Sequence, residues 1–381
     1  MVANSRGVPQ ASRGSLFKAG ATAGLFFASG FAALIYQIVW QRSLFTIFGI
    51  NVEAVTVVVS GFIAGLGLGS LVGGWLSRTL RGHLLLVFGV IEIAIGLFGA
   101  LSLQLFEWVG VRTLLLPAAA IAAGTIGVIL LPTLLMGATL PILTQHLIHR
   151  RQNVGWSVGL LYSANTFGSA TAGFASAFWL MGALGMQGAV LLAATVNLTV
   201  GLTALLFFYG SINSDSFPSS TYERAAAEQR PSPSLNLVAI ALGVSALTGY
   251  IALSYEVLWF RAFLVATNRA PAFALILATY LTGVAIGSYG AREYCASRPT
   301  NQQLMFILSL VILLSSAIGF LVLPLAAKLA AGGMGFFVAT ILALVVIQTS
   351  VAGAVLPLIC HSLIPPGPST GIWVSSVYAA N

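Results

Sequence analysis

Residues 29–42 read Ser-Gly-Phe-Ala-Ala-Leu-Ile-Tyr-Gln-Ile-Val-Trp-Gln-Arg. The run is apolar until Tyr36, Gln37, Trp40 and Arg42 crowd its end. Residues 249–261 read Gly-Tyr-Ile-Ala-Leu-Ser-Tyr-Glu-Val-Leu-Trp-Phe-Arg. Gly30, Tyr36, Trp40 and Arg42 thus recur at one spacing as Gly249, Tyr255, Trp259 and Arg261. One substitution stands out: Gln37 in the first copy is Glu256 in the second.

What surrounds this pair sets the class. Of 381 residues, 58% are hydrophobic and 6% are charged, against about 25% charged in average soluble proteins. Apolar runs of roughly 18 residues or more recur, each long enough to cross a hydrocarbon core of about 30 Å. They do not alternate as barrel strands would. The chain reads as an all-α integral membrane protein whose first partner is the lipid bilayer. Its net charge of +8 does not point to nucleic acid, because no basic cluster is interleaved with aromatics. The two cysteines, Cys295 and Cys360, form neither a metal spacing nor a disulfide framework. His146 and His149 lack a third ligand, so no metal and no cofactor are expected.

Outward from residues 29–42, the expected helices are 21–40, 52–76, 84–106, 114–147, 155–180 and 188–209, with a loop at 42–51. The second set is 235–259, 272–289, 303–325 and 335–364, followed by a partial helix from Gly371 to the last residue. Prolines 117, 132 and 141 fall in the fourth helix, where each can kink it. Gly61, Gly65, Gly69 and Gly73 put a bare stripe on one face of the second helix, and Gly283 and Gly287 repeat it. Such stripes let membrane helices approach closely.

Four landmarks recur in order: Trp40 and Trp259, Gly69 and Gly287, Pro141 and Pro357, Asn165 and Asn381, at offsets of 219, 218, 216 and 216. The chain therefore reads as a tail (1–20), a first six-helix repeat (21–210), a linker (211–234) and a second repeat (235–381). The second repeat lacks a counterpart of residues 166–209, which reads as a truncated product with about ten full helices plus a partial one. With the N-terminus inside, Arg6, Arg13, Lys18, Arg78, Arg81, Arg150, Arg151, Arg224, Arg230, Arg292 and Arg298 face the cytoplasm. Only Arg42, Arg112, Arg261, Arg269 and Lys328 face out. This bias favours a cytoplasmic N-terminus in a multi-pass protein. An even number of helices per repeat makes the two repeats parallel.

Three further segments stand beside residues 30–42: residues 65–70 (Gly-Leu-Gly-Leu-Gly-Ser), 136–141 (Met-Gly-Ala-Thr-Leu-Pro) and 161–166 (Leu-Tyr-Ser-Ala-Asn-Thr). In this order they resemble the membrane part of fused major-facilitator/spermidine-synthase-like proteins of prokaryotes, over nearly the whole chain. The resemblance implies a major-facilitator-like bundle in the inner (plasma) membrane. It also implies a soluble spermidine-synthase-like domain or protein as partner. The Gly-rich nucleotide loop and catalytic acids of that domain are absent here, so no catalytic residue is expected on this chain. The basic turn 74–82 is similar to the loop between the second and third helices of major-facilitator transporters, with Ser77 in the region of the usual aspartate.

Eight acids occur in all, and only Glu92 and Glu256 sit well inside helices. Intramembrane carboxylates are costly and face the bundle interior or a wet cavity. Each can serve as a cation-binding or proton-coupling group, or can pair structurally: Glu256 with Arg261 or Arg42, and Glu92 with Arg78, Arg81 or backbone. Tyr36 with Trp40, and Tyr255 with Trp259, share helix faces. They can line an amine site with Gln37 by cation–π contact or form an interfacial belt. Asn165 and Asn197 read as interhelical hydrogen-bond groups. Two functions stay open: transport of an amine, polyamine or other small solute by alternating access, and a non-transporting anchor or regulatory module for an aminopropyltransferase domain.

Overall fold

The computed structural model describes residues 13–48, 52–113, 118–212, 235–267, 272–329 and 334–381. Every regular element among them is helical. The helices are α1 (Arg13–Phe48), α2 (Val52–Thr79), α3 (Leu84–Thr113), α4 (Ala118–Arg151), α5 (Val154–Ala175) and α6 (Met181–Ile212). There follow α7 (Leu235–Thr267), α8 (Ala272–Ala296), α9 (Asn301–Leu329), α10 (Met334–Gly353), α11 (Val355–Leu363) and α12 (Thr370–Ala380).

Nine helical stretches among the described residues are long and apolar enough to cross a membrane. One of them, Val154–Tyr209, counts 56 residues. At 1.5 Å per residue it would measure about 84 Å, too long for one crossing. It holds two helices, α5 and α6, joined through a π-helical turn at Ser176–Leu180 and broken at Gly185, where φ is 63°. Glycine alone takes that backbone angle without a Cβ penalty. In the second set α10 and α11 together supply one such stretch, Val338–Leu363.

Two sequence expectations change. The loop expected at 42–51 is largely helix, because no breaker occurs before Gly49, and α1 runs to Phe48 with Leu44 buried. It also starts at Arg13, inside the stretch read as tail. Residues 1–12 of the tail, nearly all of the linker (213–234), Pro117 and Arg269 lie outside the described residues, as does the side chain of Arg261.

Pro132 and Pro141 sit inside α4. Beside Pro132, the Thr133 hydroxyl donates to the carbonyls of Ile129 (2.8 Å) and Leu130 (3.1 Å). Hydrocarbon has no water for a buried hydroxyl, so its own helix supplies the acceptors. Large apolar side chains such as Leu68, Leu71, Trp75, Leu101 and Phe320 point outward, which suits a surface in contact with lipid tails.

Packing contacts come in matching sets. Helix α1 packs on α5 as α7 does on α12, and α2 packs on α4 as α8 does on α10. Further contacts cross between the N-terminal and C-terminal helices, among them α5 on α8 and α12 on α2. The atoms repeat too. Gly30 lies against the Asn165 backbone and Gly249 against that of Asn381. Gly65 meets Thr133 and Gly283 meets Thr349, while Gly137 meets Leu66 and Gly353 meets Val284. The ring of Tyr36 covers Gly99, and that of Tyr255 covers Gly319.

Candidate functional site

The first acid, Glu92, is fully buried on α3. Ser29 Oγ of α1 donates to its Oε1 at 2.6 Å, and Asn197 Nδ2 of α6 donates to its Oε2 at 2.5 Å. The pairing with Arg78, Arg81 or backbone set out above is not what the structure holds; both oxygens take side-chain donors from neighbouring helices. Three helices of the N-terminal set are thereby tied at one carboxylate. Two buried polar atoms near it, Tyr36 Oη and Asn197 Oδ1, have no hydrogen-bond partner among the described residues.

Tyr36 and Trp40 lie about two and three helical turns along α1 from this tie. Their rings stack at 5.1 Å and 22°, and both are buried. Trp40 Nε1 donates to Ser102 Oγ at 2.9 Å, and its ring meets Phe98 and Phe106 edge-on. The pair faces α3 within its own half. Gln37, on the next face of α1, is only half-buried. Trp259 is buried with Ile276, Val284, Ile341 and Val345. Asn165 Nδ2 donates to the Phe26 carbonyl at 3.2 Å, joining α5 to α1.

The second acid lies where the two sets of helices meet. Glu256 of α7 lies near Tyr162 of α5 and Tyr280 of α8. The Tyr280 hydroxyl donates to the Ala252 carbonyl at 3.2 Å, four residues before Glu256 and so on the same face of α7. Tyr162 meets Tyr378 of α12 edge-on, with centroids 6.3 Å apart. Tyr162 borders two of the apolar clusters of the molecule and Tyr378 a third, so the two rings mark the centre where all three come together. Glu256 is flanked by helices of both sets and still keeps part of its surface uncovered. Residues Ile251 to Tyr255 before it share this partial cover. Tyr162, Tyr280 and Tyr378 escaped the reading of the sequence because an isolated tyrosine in an apolar helix carries no periodic signal.

One end of the seam is clasped shut. Gln145 Nε2 of α4 donates to the Gly367 carbonyl at 3.1 Å, and the Gly371 amide donates to Gln145 Oε1 at 2.7 Å. Asn153 caps α5 by accepting from the Trp156 amide at 2.9 Å, and its Nδ2 donates to the Cys295 carbonyl at 2.9 Å. His361 Nδ1–H donates to the same Asn153 Oδ1 at 3.1 Å; that oxygen has no hydrogen to give. The Arg292 guanidinium lies over the rings of Trp156 (5.1 Å) and Tyr289 (4.7 Å). Under these contacts Ile148, Val154 and Val158 pack with Leu358, Ile359, Cys360 and Ile364.

Two curated proteins of Streptomyces coelicolor (strain ATCC BAA-471 / A3(2) / M145) resemble this chain. Polyamine aminopropyltransferase 2 is 31% identical over 197 residues, covering 48% of this chain and 33% of the relative. Polyamine aminopropyltransferase 1 is 24% identical over 188 residues, with the same coverage of each. The match thus spans about a third of the length of either relative. No protein-family profile matches the chain. The likeness is distant, and it ties a helical, multi-pass-compatible chain to proteins named for polyamine chemistry.

Proposed function

We propose that the chain is a major-facilitator-like bundle of two parallel six-helix repeats that moves an amine, polyamine or other small cationic solute by alternating access. The paired packing contacts and the exchange of helices across the seam support two equivalent halves able to rock against each other. One observation carries the solute assignment. Glu256 lies at the seam with part of its surface uncovered, and no donor or cation among the described residues satisfies its carboxylate. An enclosed carboxylate in a membrane takes a partner, and a cationic solute arriving through the seam supplies one. Glu92, whose oxygens are already occupied by Ser29 and Asn197, is assigned to holding its own half together.

The test is uptake of radiolabelled putrescine into proteoliposomes containing the full chain, beside liposomes without protein. Saturable uptake is expected, with Glu256→Gln lowering it at least about tenfold, the loss of one charge-assisted contact of roughly 1.4 kcal/mol or more. Uptake no greater than in empty liposomes would remove the transport reading.

A second reading has its own support in the relatives. Both are named as aminopropyltransferases, and about two thirds of each lies beyond the match. In that reading the helices form the membrane part that anchors or regulates an aminopropyltransferase domain and carry nothing across. Absence of uptake, together with a change in aminopropyltransferase rate when such a domain is joined to this chain, would select it.

A further inference from the structure

We infer that Glu256, Tyr162, Tyr280 and Tyr378 form a recognition site for one alkylammonium group. The inference rests on reading the seam as a solute path, and it specifies what the path recognises there. Four helices from both sets, α5, α7, α8 and α12, each contribute one of the four side chains.

The chemistry follows from what surrounds the acid. The Tyr280 hydroxyl is fixed to the Ala252 carbonyl, which holds its ring beside the face of α7 that bears Glu256. The edge-on contact of Tyr162 with Tyr378 continues the aromatic wall at the centre of the molecule. A carboxylate beside phenol rings attracts an organic cation twice, by charge and through the negative ring faces. A divalent metal would need several more oxygen ligands, and no group of three His, Cys, Asp or Glu residues that could hold one occurs among the described residues. An anion would meet a like charge.

Charge count narrows the ligand further. The other described intramembrane acid, Glu92, is tied up within the N-terminal helices. One carboxylate without a partner among the described residues matches one ammonium. A diamine therefore binds through one end, and its second ammonium finds no carboxylate at this site. The site reads an ammonium on an alkyl chain and does not count charges.

The experiment uses the full chain in lipid nanodiscs, with n-butylammonium and putrescine as probes in equilibrium titration calorimetry. The two are expected to bind within about threefold of each other, because one ion pair dominates both. Glu256→Gln and Tyr162→Leu should each weaken both ligands at least about tenfold. A hydrophobic carbodiimide applied to unaltered protein gives a second readout that needs no variant. Butylammonium should slow its modification of Glu256, followed by peptide mass spectrometry, and leave modification of Glu92 unchanged. Absence of saturable binding, binding unchanged in both variants, or no protection of Glu256 would overturn the site. Putrescine binding far more tightly than butylammonium would overturn the single-ammonium assignment. Binding as expected with no proteoliposome uptake would keep the site and remove transport.

Discussion

Ser29 and Asn197 approach Glu92 from different helices, and neither is near it in sequence. Removing one donor leaves a buried carboxylate oxygen unpaired, at a cost of about 1–2 kcal/mol on membrane-protein scales. Asn197→Ala is therefore expected to lower the midpoint of thermal unfolding in detergent by several degrees. Glu92→Gln, which keeps an acceptor for Ser29, should cost less than Glu92→Ala. An unchanged midpoint for Asn197→Ala would show that the tie contributes nothing. Asn197 was legible as a hydrogen-bond group, since a lone amide in an apolar run has to find a partner. That its partner would be Glu92 was not, because sequence distance says nothing about which helix α6 packs against. The same limit hid the aromatic surroundings of Glu256, whose three tyrosines come from three other helices.

At the scale of helices, the glycine spacing carried more information. A stripe at every fourth residue announces a close approach, and α2 and α8 both make one. A Cβ on Gly69 would overlap the Leu134 carbonyl, and one on Gly287 would overlap the Ser350 carbonyl. Backbone cannot yield as a flexible side chain does, so Gly69→Leu and Gly287→Leu should each force α2 off α4 or α8 off α10. The expected result is loss of the monodisperse peak in size-exclusion chromatography. Gly82→Ala, where an added Cβ meets nothing within 4 Å, is the matching control and should elute as the unaltered protein does. Elution of both leucine variants as monodisperse protein would refute the close packing. The spacing could not say that α4 and α10 are the partners, nor that α1 would run on to Phe48. Helix ends depend on local breakers, and a run of apolar residues leaves the end open until a glycine arrives.

Across the whole molecule, glycines that share a spacing in the sequence meet corresponding neighbours, Gly30 on Asn165 and Gly249 on Asn381. The clasp at one end of the seam was not anticipated: Gln145, Asn153 and His361 look like ordinary polar residues near helix ends. It can be read out with native groups. Cys295 and Cys360 are buried beneath it, so N-ethylmaleimide should modify them slowly. Gln145→Ala combined with Asn153→Ala removes hydrogen bonds that hold this end closed. Each is worth about 1 kcal/mol, or roughly fivefold in an opening equilibrium, and modification should accelerate by at least that factor. An unchanged rate would mean that the clasp does not hold the end. The tie at Glu92 has a consequence in time as well as in space. Asn197 follows Glu92 by 105 residues, so at ribosomal speed the acid waits on the order of 5–20 s for its last donor. Over that interval nascent α3 carries a carboxylate with one donor fewer than it has in the finished fold. The hydrogen-bonded tie of α1, α3 and α6 is complete only once α6 has been made.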